Sequence, residues 1–137
     1  MLYANTTTSQ TVAAGGTISF NTSTIETGTI CNGGIINNNT SIRIRKPGIY
    51  KVDFNGSTDT TTSDATVQLY VNGTAYTGAL STAPVGGDVG FTCLVQVLNN
   101  CCAIKSNLPA TLTVVNTGTA ATFTNAAITI TKVSDCA

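Results

Sequence analysis

The chain contains no histidine and no tryptophan, and only 9% of its residues carry a charge. Without histidine, neither a Ser-His-Asp nor a Cys-His catalytic arrangement can be built. A structural zinc site would need four thiolates. The six basic and six acidic side chains cancel, so the electrostatic footprint of a nucleic-acid or anionic-lipid binder is missing. No apolar run approaches the ~20 residues that cross a bilayer as a helix. Leu2 to Thr17 lacks the basic and apolar blocks of a cleaved leader, which predicts synthesis in the cytoplasm without a signal peptide. The five cysteines (Cys31, Cys93, Cys101, Cys102 and Cys136) are odd in number and include no C-x-x-C pair. They read as free or buried thiols rather than a disulfide framework. No metal site, catalytic group or cofactor is expected.

What fills the chain instead is Thr, Asn, Ser and Gly. Thr fits a pleated surface because its side chain is branched at Cβ; Asn and Gly fit turns because they tolerate positive φ. The 137 residues suffice for one domain with its own core, and no linker or repeat divides 1–137. Period-two patterns recur between turn signals, and no window shows helical periodicity. Leu2 to Asn5 reads as a short strand, and Gln10 to Ala14 leads into a turn at Gly15-Gly16. Thr17 to Phe20 reads as a second strand with Ile18 and Phe20 on one face. Glu26 to Thr40 reads as loop around a short strand at Gly34-Ile35-Ile36. Ser41 to Arg45 alternates, with Ile42 and Ile44 inward. After Pro47-Gly48, Ile49 to Asn55 is the clearest strand, its core face formed by Tyr50, Val52 and Phe54. Gly56 to Asp64 reads as a polar loop. Val67, Leu69 and Val71 form the next core face, followed at once by Asn72-Gly73, a type I′ hairpin signal.

Gly90 to Leu98 differs from the other strands. Phe91, Cys93, Val95 and Val97 share one face, while Leu94 and Leu98 lie on the other. A strand apolar on both sides is covered on both sides: the domain core supplies one cover, and a neighbouring subunit is expected to supply the second. A segment at Cys101 to Lys105, the alternation at Leu112 to Val115, and Ala127 to Val133 with Ile128 and Ile130 inward complete the pattern. Eight to ten short strands at this spacing predict an all-β antiparallel sandwich of the jelly-roll type.

Few residues offer chemistry. Asp59 and Asp64 share one loop and could supply oxygen ligands to calcium, although turn capping accounts for both. Arg43, Arg45, Lys46 and Lys51 form a small basic cluster suited to solvent or to an acidic neighbour. Tyr70 and Tyr76 flank the Asn72-Gly73 turn and are the candidates for stacking against a host glycan; hairpin packing is the simpler account.

Four segments in order, Phe20-Asn21-Thr22, Lys46 to Val52, Val67 to Gly73 and Ala127 to Val133, resemble C1q/TNF-like jelly rolls. They are similar to the C-terminal domain of collagen-like spore-surface proteins. The run Leu112 to Asn125 is similar to small leaderless proteins of phages and prophages. The resemblance implies a compact homotrimer packed through a sheet of each subunit, with Leu94, Gln96, Leu98 and Tyr70 at the contact. It further implies a virion structural protein (head-fibre, capsid-decoration or tail-fibre component) that meets another virion or surface protein. A module of a bacterial cell or spore surface is the alternative. No Gly-X-Y collagen stalk precedes the domain in this chain, which favours a standalone knob.

Overall fold

The computed structural model describes residues 1–26, 34–59, 64–98 and 109–135. Its eleven strands are β1 (Leu2–Thr6), β2 (Gln10–Val12), β3 (Thr22–Glu26), β4 (Ile35–Asn37), β5 (Ile42–Ile44), β6 (Gly48–Thr58), β7 (Ala65–Val71), β8 (Thr74–Ala83), β9 (Asp88–Val97), β10 (Ala110–Asn116) and β11 (Ala121–Ser134). One sheet runs β3-β1-β11-β6-β9, with β2 also paired to β11; the other runs β4-β5-β10-β7-β8. Every pairing is antiparallel. The two sheets face each other as a sandwich.

Alternation along the long strands builds the core. In β6, Tyr50, Val52 and Phe54 are buried while Lys51 and Asn55 are exposed. In β11, Ile128 and Ile130 point inward, and in β7 Val67 and Leu69 do. Each such aliphatic side chain contributes about 1.5–3 kcal/mol on leaving water. Phe54 joins Phe20 edge-on at 6.2 Å and Phe91 at 5.4 Å, which links both ends of the chain's middle to one cluster. Val71 differs from the expected core set. It is only half-buried, because it is the last residue of β7 and the hairpin turn begins beside it.

That turn is the one the Asn-Gly pair predicts. Asn72 and Gly73 have φ of 51° and 79°, and Val71 pairs directly with Thr74, so a two-residue loop closes the hairpin. Asn72 also accepts a bond from the Thr111 main-chain N–H at 2.7 Å, fastening the turn to β10.

Three expectations need correction. Thr17 to Phe20 makes only an isolated bridge between Thr17 and Val115, although Ile18 and Phe20 are buried as expected. Side chains take the place of a partner strand there: Gln10 accepts from the Ser19 N–H at 2.9 Å and donates to its carbonyl at 3.0 Å. The segment from Gly56 to Thr58 is strand rather than loop, because Gly56 and Thr58 turn inward and are buried. β11 starts at Ala121 rather than Ala127. The segment at Cys101 to Lys105 lies outside the described residues.

Candidate functional site

The outer face of the six-stranded sheet carries the most informative arrangement. Cross-strand register sets its side chains in rows: Tyr3, Thr129, Asp53 and Thr92 in one; Asn5, Ala127, Asn55 and Gly90 in the next; Thr131, Lys51 and Leu94 on the other side. Lys51 and Asp53 are paired at 3.5 Å. At this exposure the pair contributes little to stability, but it leaves neither of the two charges unpaired beside Leu94. The Thr92 hydroxyl also donates to Asp53, and the Ser57 hydroxyl donates to Asp88 at 2.7 Å. What remains is a flat surface of small polar groups with Leu94, 57% exposed, at one margin and Ile25, 41% exposed, at the other.

Of the four expected contact residues, Leu94 and Gln96 point outward together from β9, and Leu98 follows one residue beyond its end, half-buried. Tyr70 does not join them. It lies on β7, opposite Ala75 and Thr113 on the outer side of the other sheet, so the sandwich stands between it and Leu94. The core residues Tyr50, Val52, Phe54, Val67, Leu69, Phe91, Ile128 and Ile130 are all buried.

Tyr70 and Tyr76 form no common stacking platform. Tyr76 packs against the core and its hydroxyl donates to the Leu94 carbonyl at 2.6 Å, whereas Tyr70 faces outward. Burial, with a smaller effect from Cys93 beside it, raises the Tyr76 phenol above its ordinary pKa. The two lie on opposite sides of β7–β8 because Tyr70 pairs with Ala75, and Tyr76, the next residue along the strand, points the other way.

Cys93 points inward from β9 opposite Val52, half-buried. Burial, aided by the Asp53 charge, pushes its thiol up to about 11, so it stays protonated at neutral pH. The other four cysteines lie outside the described residues. Among the described residues no three His, Cys, Asp or Glu side chains come together in a way that could hold a metal ion. Asp59 and Asp64 bracket undescribed residues; the Asp59 N–H donates to the Thr122 carbonyl at 3.0 Å. Arg43, Arg45 and Lys46 are exposed on or just after β5. No described helix is long and apolar enough to cross a membrane.

A groove of about 440 Å³ opens on the same sheet face, away from Leu94, with Tyr3, Asn5, Thr24, Asn55, Asn125 and Ala127 among its walls. Its residues come from β1, β3, β6 and β11, so nothing local in the sequence marks it. The one available signal is the presence of three asparagines within strands, where Asn is depleted.

The chain matches no protein-family model, and no curated protein matches it in sequence. Its fold is similar to that of solved structures. The globular domain of zebrafish complement 1qA protein superposes with a TM-score of 0.70, covering 98% of this chain and 97% of that one at 8% identity. Eiger TNF from S. frugiperda gives 0.74, covering 99% and 94% at 11% identity. PRD1 vertex protein P5 gives 0.61, covering 96% and 95% at 15% identity. The chain therefore has the C1q/TNF-like jelly-roll fold.

Proposed function

We propose that the chain is a non-enzymatic structural or recognition module that assembles as a homotrimer on the particle of a bacterial virus. Its place there is a head fibre, a capsid decoration or a tail-fibre component. The observation that carries self-association is Leu94, a large aliphatic side chain more than half exposed beside the Lys51–Asp53 ion pair. Covering it stabilises an assembly by about 1.5–3 kcal/mol per subunit, and the charges nearest to it, Lys51 and Asp53, are paired with each other.

The face is a better meeting surface than the sheet edge. β9 is the outer strand, but Tyr76 binds the Leu94 carbonyl and Ser81 accepts from the Gly90 N–H at 3.1 Å. Side chains of β8 thus occupy groups that an added strand would need. A threefold ring joins unlike patches, and Leu94 and Ile25 stand on opposite margins of the same face, as such a ring requires.

The virion reading is supported by the fold shared with a vertex protein of PRD1. Its test is the gene neighbourhood: capsid and tail genes support it, and a sporulation or collagen-like context replaces it with a bacterial-surface module. The assembly reading is tested by Leu94→Asp. Subunits should separate while each keeps its β-type circular-dichroism spectrum. A variant that assembles as the wild type does removes Leu94 from the contact.

A further inference from the structure

We propose that the groove bounded by Asn5, Asn55 and Asn125 is a binding site for a neutral saccharide. Strand interiors disfavour asparagine, yet three neighbouring strands place one each on the same patch. Asn5 and Asn55 flank Ala127 in a single cross-strand row, about 10 Å apart across two strand spacings. Asn125 lies two residues back along β11, about 7 Å from that row. A register shift between Phe123 and Asn125 lets Phe123 stay buried while Asn125 turns outward. A bulge that re-aims a side chain in this way is a feature of functional surfaces.

The chemistry of the walls selects the ligand. The Asn55 and Asn125 amides make no hydrogen bond among the described residues. Each presents two N–H donors and one carbonyl acceptor, the complement of a hydroxyl, which both donates and accepts. Asn5 spends one N–H on the Thr24 hydroxyl at 2.8 Å, a bond that orients its amide at the groove's edge. The ring of Tyr3 and the methyl group of Ala127 add apolar wall, suited to the C–H faces of a sugar. No charged side chain lines the groove among the described residues, so an anionic sugar or phosphate would find no counter-charge. The volume, about 440 Å³, lies in the range of small-molecule sites.

The site is separate from the assembly contact. Leu94 pairs with Lys51, four residues along β6 from Asn55, or roughly 13 Å. The proposal therefore stands whether or not the chain forms trimers.

A shallow site of this kind binds in the millimolar range, which nuclear magnetic resonance detects. The full ¹⁵N-labelled chain is titrated with glucose, galactose, N-acetylglucosamine and their β-linked oligomers, each into the tens of millimolar, with glucuronic acid as the charged control. At least one neutral sugar should shift the side-chain amide signals of Asn5, Asn55 and Asn125 saturably. The double variant Asn55→Ala/Asn125→Ala should weaken that binding at least tenfold while leaving solution mass and Tm unchanged. The proposal is overturned if none of the neutral sugars moves these signals, if the shifts map elsewhere, or if glucuronic acid binds equally well. An assembly that resists Leu94→Asp leaves it untouched, so the two readings fail separately.

Discussion

The hydroxyl of Tyr76 on β8 donates to the main-chain carbonyl of Leu94 on β9 at 2.6 Å, and so joins the edge strands of the two opposing sheets. The ring of Tyr76 packs on the core while its polar tip closes the side of the sandwich. Tyr76→Phe keeps the ring and removes only this bond. The expected loss is about 1 kcal/mol, read as a fall of a few degrees in Tm. An unchanged Tm would show that water replaces the hydroxyl without loss.

Asn116 should matter more. It is fully buried, and its amide donates to the carbonyls of Val12 at 3.0 Å and Thr119 at 2.7 Å while accepting from the Gly118 N–H at 3.1 Å. One side chain thereby ties the end of β2 to the turn between β10 and β11. Asn116→Ala strands those main-chain groups, at a cost of about 2–3 kcal/mol, measured by denaturant unfolding. Asn116→Asp directs a carboxylate at two carbonyl oxygens, so its pKa rises above the ordinary ~3.9. A raised pKa means stability present in acid and lost as pH increases. This variant should gain stability on going from neutral pH toward pH ~4, unlike the alanine variant.

Cys93 gives a pH dependence of its own. Its folded pKa of about 11 lies above the ordinary 9.0, so the native state holds the proton more tightly than the unfolded chain. Its contribution to stability is complete below pH 9.0 and is lost as pH rises through about 11. Because the thiolate is the reactive form, alkylation at Cys93, followed by peptide mass mapping, should be slow at neutral pH and still rising steeply beyond pH 9.0. A rate that levels off near 9.0 would contradict the burial argument.

The parts of this fold legible in the sequence are those where burial and polarity alternate cleanly. β6 shows Tyr50, Val52 and Phe54 against Lys51 and Asp53, and β9 shows Phe91, Val95 and Val97 against Thr92 and Gln96. β3 was illegible because all five of its residues are exposed, so no apolar period marks it. The first half of β11 hides for two reasons. Its inward residues include small Ala121 and Ala126, and the register shift before Asn125 breaks the period. The far end of β6 buries Gly56 and Thr58, residues whose composition signals a turn. For the surface, sequence separates Leu94 from the core face, but it cannot say which sheet a strand joins. Tyr70 and Leu94 therefore read as neighbours although they lie on opposite sides of the sandwich. The groove depends on Asn5, Asn55 and Asn125, distant in the chain and adjacent only through strand order.

The central claim is that the face around Leu94 is covered by sister subunits. Light scattering coupled to size exclusion, on wild-type chain over a wide dilution series, measures this directly. The account predicts a single species of three times the 14.0 kDa chain mass, persisting on dilution. A species of 14.0 kDa at all concentrations, with Leu94 left in water, would contradict it.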